Sequence, residues 1–265
     1  MNGFDRLKFD GKSLLITGGS QGIGAATARL AALRGARVMV SSPDAERLTA
    51  VTNEIRAAGG ICDYVVCDVR DGGQVAAMVA KTVEIYGGLD LAYNNAGTSH
   101  PPMMPHDVSD ELFDRVQDIN VKGVFLCCRE QLKVFLRQGR GGNILITGSM
   151  AGIAGVGTMA PYATSKHAVA GLAKSIALAY GQFGIRCNFH GPGATETPMY
   201  DQSVLDVMEY REKRPENKIP SKVQGPLGRN QTAEEQAEVA CFLLSEASSA
   251  MTGAIVIADC GATAY

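Results

Sequence analysis

Tyr162 and Lys166 stand four residues apart in PYATSKHAVAGLAKSIALAYG, and Ser149 lies thirteen residues before Tyr162, behind the apolar run NILIT. Residues at i and i+4 share one face of a helix, so the phenol and the ammonium can converge on one point. A free tyrosine titrates near about 10, too high for a good base at neutrality. A neighbouring cation favours phenolate and lowers that value, which is the adjustment that acid–base catalysis needs. A serine hydroxyl at the end of the preceding strand could then hydrogen-bond a carbonyl or alcohol oxygen. On this fragment alone the plainer reading, a surface Tyr/Lys pair on an amphipathic helix, is preferred, because Y-x-x-x-K arises often by chance. The rest of the chain reverses that preference.

A second signal lies in KSLLITGGSQGIGAATARLAALRGARVMVSS. An apolar strand (residues 14–16) runs into Thr17, Gly18, Gly22 and Gly24, then into an Ala- and Leu-rich helix and a second strand (37–41). Glycines permit a tight turn, close approach of the backbone to a pyrophosphate, and close helix–strand contact. The helix N-terminus at 21–24 offers free N–H groups and a positive dipole end to phosphates. A purely structural turn is the alternative, but the strand–turn–helix–strand setting favours a cofactor.

The elements that must position these groups alternate along the chain. Helices are expected at 44–58, 73–86, 111–138, 161–183 and 233–244, with strands at 61–67, 89–93, 143–147, 185–190 and 254–258. The stretch 191–229 reads as irregular, and its 194–228 portion as a mobile substrate lid. Such alternation predicts one α/β domain over residues 1–265, a doubly wound parallel sheet of about seven strands with helices on both faces. The 265 residues suffice for a sizeable core, and a net charge of −2 gives no case for nucleic acid or an anionic membrane. The N-terminal MNGFDRLKFDG does not read as a targeting segment, and no apolar run is long enough to span a bilayer. Seven cysteines without C-x-x-C or His/Cys ligand spacing suggest no metal site and suit a reducing cytoplasm; Cys62, Cys67, Cys127, Cys187 and Cys241 read as core filler.

In such a sheet ligands bind beyond the carboxyl ends of the strands. The glycine loop follows strand one, Asp68 strand three, Asn94-Asn95-Ala96-Gly97 strand four, Ser149 strand five, and Gly191-Pro192-Gly193 strand six. With Thr17-Gly18-x3-Gly22-x-Gly24, Asn120, Tyr162, Lys166, Asn188 and Thr197 in the same order, the chain resembles the short-chain dehydrogenase/reductase family over essentially its whole length. The resemblance implies a Rossmann-like fold and a nicotinamide-dependent oxidoreductase with an Asn120–Ser149–Tyr162–Lys166 tetrad. By that resemblance Tyr162 is the acid/base and Ser149 polarises the reacting oxygen. Lys166 lowers the Tyr162 pKa and binds the nicotinamide ribose, and Asn120 holds a water in a proton relay, or bends its helix, or both. Gly18, Ser20, Gln21, Gly22, Ile23 and Gly24 would cradle the pyrophosphate. Asp68 and Val69 would meet the adenine, although Asp68 could instead cap the next helix. Asn95 reads as largely structural, while Ala96 and Gly97 admit the cofactor closely. Pro192, Gly193, Thr195 and Thr197 would face the carboxamide and phosphate side.

Sites that prefer NAD carry an acidic residue after strand two, which repels a 2′-phosphate. Ser42 occupies that position here, which tips the expectation from NAD(H) towards NADP(H). Against this, Pro43 and Gln21 are not basic, and Asp44 could cap the next helix or reach the ribose.

Substrate contacts are expected from Met150, Met159, Met199 and Tyr200, with Met103, Met104 and Ile153 nearby. The set suits an apolar, cyclic secondary alcohol or ketone, or else packs the lid onto the body. His100 and His106 could touch substrate but read rather as solvated, and His190 reads as buried and hydrogen-bonded, with a second polar group near the nicotinamide as the alternative. Arg211, Lys213, Arg214, Lys218 and Lys222 are interleaved with acids and read as a solvated face. Two further classes stay open: a regulatory or scaffolding cofactor-binding protein, which the intact tetrad argues against, and a non-redox isomerase or dehydratase. The resemblance further implies a homotetramer paired through helices 111–138 and 161–183, with Cys260 standing where a glycine is common.

Overall fold

The computed structural model describes residues 3–217 and 225–264; part of the expected lid, with Lys218 and Lys222, lies outside the described residues. Strands β1 (Ser13–Thr17), β2 (Arg37–Ser42), β3 (Ile61–Val66), β4 (Leu91–Asn94), β5 (Gly142–Thr147), β6 (Ile185–Pro192) and β7 (Ile255–Ala258) form one sheet in the order β3-β2-β1-β4-β5-β6-β7. Every neighbouring pair is parallel. The chain leaves β1 for β2 on one side and β4 pairs on the other, which opens a crevice at the strand ends.

Continuous apolar strands fit a sheet covered on both faces. Side chains alternate between faces, so each strand feeds two cores. Leu14 and Ile16 of β1 join Val38, Val40 and Leu145 in one; Leu15 joins Met39, Ile144 and Ile146 in the other. The first core is closed by α1 (Gly22–Leu33), α2 (Ala45–Ala57) and α8 (Ala233–Leu244) through Ala28, Leu48 and Ala240. The second is closed by α3 (Gly72–Tyr86), α5 (Val124–Gln138) and α6 (Ala160–Tyr180) through Met78, Leu132 and Val169. The seven-stranded parallel sheet and the single Rossmann-like domain match the expectation, and Cys62, Cys67, Cys127, Cys187 and Cys241 are buried free thiols in these cores.

Two elements depart from it. The single helix expected over 111–138 is broken into α4 (Asp110–Gln117), a π-helical turn (Asp118–Gly123) and α5. A π turn accommodates one extra residue and loosens the regular ladder. Here it places the fully buried Asn120 amide against Thr98 and Ser165. The irregular stretch 191–229 also gains structure: β6 continues to Pro192, and α7 spans Pro198–Lys213. Thr197 caps α7 by accepting from the Tyr200 N–H at 3.3 Å, and Pro198 pre-sets the first turn. No residue of α7 is buried, which is why its sequence lacks a clear apolar face. Cys260 has φ 56°, a left-handed conformation that costs a non-glycine residue, so a glycine would suit this position.

Candidate active site

The turn between β1 and α1 is built on glycine for steric reasons. Gly18 has φ 65°, and a Cβ on Gly24 would lie 2.2 Å from the Gly18 carbonyl oxygen. Asn95 fastens the turn by donating to that same carbonyl at 3.1 Å, and Thr147 Oγ1 donates to Asn95 Oδ1 at 3.0 Å. Thr17 Oγ1 accepts from the Asn95 and Ala96 N–H groups, each at 3.1 Å. Asn95 thus ties the ends of β1, β4 and β5 together. Gln21 stands at the N-cap of α1 without a side-chain cap, so the first-turn N–H groups of Gly22, Ile23 and Gly24 are left for an anion. Thr197 closes over the turn, its Cγ2 within 3.2 Å of where a Gly22 Cβ would be. A crowded glycine turn, uncapped amides and a threonine facing them fit a dinucleotide pyrophosphate.

Beyond β2, Ser42 is buried and its Oγ accepts from the Asp44 N–H at 3.1 Å. Asp44 caps α2 through the Arg47 N–H at 3.0 Å. Arg47, which the sequence reading passed over, brings its guanidinium onto Gln21 Oε1 and within 3.3 Å of Asp44 Oδ2. Reading one helical turn past the cap would have found it. Asp68 is not the cap of α3; Asp71 is, accepting from the Gly73 and Gln74 N–H groups. The Arg70 guanidinium chelates the Asp68 carboxylate and holds it below the usual carboxylate range. Val69 packs against Gly123 at the end of the π turn.

At the ends of β5 and α6 the expected acid–base groups meet. Ser149 Oγ accepts from the Ala151 N–H at 3.1 Å, which leaves its hydroxyl proton to give, and it hydrogen-bonds Tyr162. Lys166 is buried; its Nζ lies 5.5 Å from the centre of the Tyr162 ring and donates to the Thr147 carbonyl at 3.0 Å. Burial pulls the Lys166 ammonium down to about 8. The Tyr162 phenol is raised by its own burial, which outweighs the opposing Ser149 hydrogen bond. The lowered phenol expected from the sequence is therefore not found here, because desolvation dominates. Asn120 accepts from the Thr98 N–H at 2.8 Å and donates to the Thr98 carbonyl and to Ser165 Oγ. Ser165 Oγ in turn donates to the Tyr162 carbonyl at 2.7 Å, so Asn120 steadies the turn that carries the phenol.

The segment after β6 is pinned from below. Thr195 Oγ1 donates to the Gly193 carbonyl at 3.1 Å, Thr195 bridges Gln231, and Gly193 packs closely on Asp259. Pro192 ends β6 beside Ala258. Of the four expected substrate residues, Met199 lines a cavity of about 310 Å³ with Thr98, His100, Gln202 and Ser203. Met150 and Met159 are half-buried beside Ser149 and ahead of Tyr162, and Tyr200 turns its hydroxyl to Asn230. Most residues around the cavity are polar by type, but the surface they turn towards it is chiefly apolar. His100, expected in solvent, is buried; His106 is exposed as expected. Lys213 pairs with Glu209, and Arg214 lies 4.0 Å from Asp107.

Known proteins resemble this chain in sequence and in structure. Residues 18–263 match the family profile described as enoyl-(acyl carrier protein) reductase. A 2,5-dichloro-2,5-cyclohexadiene-1,4-diol dehydrogenase of Sphingobium indicum is 40% identical over 96% of this chain and 98% of its own. A 3beta-hydroxysteroid dehydrogenase of Mediterraneibacter gnavus is 37% identical over 99% of each chain. A short-chain dehydrogenase of Mycobacterium paratuberculosis bound to NAD superposes with a TM-score of 0.90 at 30% identity, over 97% of this chain and 100% of its own. The chain belongs to the short-chain dehydrogenase/reductase family of oxidoreductases acting on CH–OH groups.

Proposed function

We propose that this protein transfers hydride between a nicotinamide dinucleotide and a cyclic secondary alcohol or ketone, with Tyr162 as the acid/base. The observation that carries this reading is the meeting of Ser149, Tyr162 and Lys166 beside the glycine turn, with Asn120 fastened beneath them. Relatives named for a cyclohexadienediol and for a hydroxysteroid support a ring-bearing substrate.

In reduction Tyr162 Oη gives its proton to the ketone oxygen; in oxidation it takes one from the alcohol. Ser149, oriented by the Ala151 N–H, gives a hydrogen bond to the same oxygen. Lys166 keeps two donors beyond the one spent on Thr147, enough for a ribose hydroxyl, and its positive charge stabilises phenolate as the proton leaves. Asn120 holds the Tyr162 turn through Ser165 and serves a water relay to Lys166. The bound nicotinamide supplies the hydride donor or acceptor. Gly18, Ser20, Gln21, Gly22, Ile23 and Gly24 hold the pyrophosphate, Asp68 and Val69 the adenine, and Ala96 and Gly97 the underside. Pro192, Gly193, Thr195 and Thr197 hold the carboxamide side, and α7 is the lid. Ser42 removes a carboxylate and Arg47 adds a cation near the adenosine ribose, which favours NADP(H).

Exposed Phe125 and Leu136 on α5 and Leu178 on α6 support pairing of these helices into a homotetramer. The free cysteines suit the cytoplasm, and no helix among the described residues is long and apolar enough to cross a membrane. The decisive experiment compares wild type with Tyr162→Phe. The variant is expected to bind NADPH yet lose about 100- to 10,000-fold in substrate-dependent absorbance change. Full redox turnover in a variant that binds cofactor would overturn the mechanism.

A further inference from the structure

One buried polar group has no task in the mechanism above. His100 follows the Asn94–Gly97 turn and is 2% exposed. Its Nδ1 lies 2.7 Å from the Pro101 carbonyl oxygen. A carbonyl oxygen only accepts, so Nδ1 carries the proton and donates. In the neutral ring Nε2 then has a lone pair and no hydrogen. Burial lowers the imidazole's affinity for a second proton, so the ring stays neutral at pH 7. Nε2 is buried with no partner among the described residues. Buried acceptors nearly always have a donor, and an exception beside an active site points to a donor that arrives with a ligand.

The surroundings supply the ligand's place. His100 lines the 310 Å³ cavity together with Thr98, Gln202, Ser203 and Met199. Thr98 ties that cavity to the acid–base group, because its N–H donates to Asn120 Oδ1 at 2.8 Å. The loop is tied again where the Met103 N–H donates to the Thr158 carbonyl at 2.9 Å, four residues before Tyr162. The opposite wall is α7, which buries no residue of its own and can give way to a ligand.

We propose that the substrate carries a second hydroxyl, distant from the one that reacts, and that His100 Nε2 accepts a hydrogen bond from it. The inference rests on the dehydrogenase reading and narrows its substrate class to diols. A second oxo group could not fill this role, since it has no hydrogen to give; a mono-alcohol leaves Nε2 orphaned. A site built to pair a hydroxyl discriminates strongly against the analogue that lacks it.

The test measures kcat and KM for cyclohexane-1,4-diol, whose second hydroxyl lies farthest across the ring, and for cyclohexanol. Wild type, His100→Phe and His100→Gln are compared. Wild type is expected to favour the diol by at least about tenfold in kcat/KM. His100→Phe removes the acceptor and is expected to reduce that ratio by about tenfold or more, chiefly through KM for the diol. His100→Gln, whose amide oxygen accepts, restores part of it. An unchanged ratio in His100→Phe overturns the inference and assigns Nε2 to a buried water. A wild type without preference for the diol overturns it too, a result that needs no variant and decides alone if His100→Phe does not fold. Turnover of neither alcohol overturns the dehydrogenase reading and the inference together, which is distinct from turnover of both at an equal ratio.

Discussion

Acid should destabilise this protein through His190, by an amount that the structure fixes. The ring is fully buried on β6, between Tyr93 Oη at 3.1 Å from Nδ1 and Gln236 Oε1 at 2.8 Å from Nε2. Gln236 Nε2 donates to the Ala258 carbonyl at 2.9 Å, which turns its oxygen towards the ring. His190 Nε2 therefore donates, and Nδ1 accepts from the Tyr93 hydroxyl. A second proton would put a buried charge where Nδ1 now accepts, and desolvation pushes the pKa down to about 4. The unfolded chain binds that proton below about 6.5 and the native protein only below about 4, so stability is full above pH 6.5 and falls as pH drops through this window. The complete loss is about 3 kcal/mol, of which about 2 kcal/mol is gone between pH 7.5 and pH 5. Urea unfolding of wild type and His190→Gln at both pH values tests this. Glutamine does not titrate, so the variant should lose about 2 kcal/mol less than wild type over the interval. Carboxylates act alike in both proteins and cancel, as does any loss at neutral pH from cutting the Tyr93 contact. Equal losses in the two proteins would refute the reasoning.

Three other outcomes are expected. Gly24→Ala drives a methyl group to 2.2 Å from the Gly18 carbonyl, backbone that cannot swing aside. It should abolish NADPH binding in a fluorescence titration and lower stability by about 1–3 kcal/mol. Thr232→Ala removes the capping box that Thr232 forms with Glu235 at the start of α8. Urea denaturation should show a loss of about 1 kcal/mol, with cofactor affinity retained. If Tyr162 is the acid/base, alcohol oxidation should accelerate as pH rises and ketone reduction should slow, because one direction needs phenolate and the other phenol. Parallel pH profiles in the two directions would contradict that role.

Outside 111–138 and 191–229 the sequence alone determined the order of strands and helices, because apolar runs of strand length and amphipathic runs of helix length alternate along it. It also placed the glycine turn, Ser149, Tyr162 and Lys166 at one sheet edge. Each lies just after a strand or on the first turns of a helix, where a parallel sheet gathers its ligand groups. His190 was legible as a buried, hydrogen-bonded ring, since it interrupts an apolar strand.

What tertiary structure decided are the matters settled by partners distant in sequence. The π turn exists where Asn120 meets Thr98 and Ser165, residues 22 and 45 positions away. α7 has its capping signal in Thr197-Pro198, but no apolar stripe announces it, because it buries nothing. The burial of His100 and its cavity against α7 are set by the packing of two segments about a hundred residues apart. The balance at Tyr162 is of the same kind. Spacing puts a cation one helical turn away, whereas desolvation in the closed packing sets the direction of the shift. Periodicity is a local property and survives in the sequence; hydration and the choice of hydrogen-bond partner are properties of the closed packing, and only the folded chain fixes them.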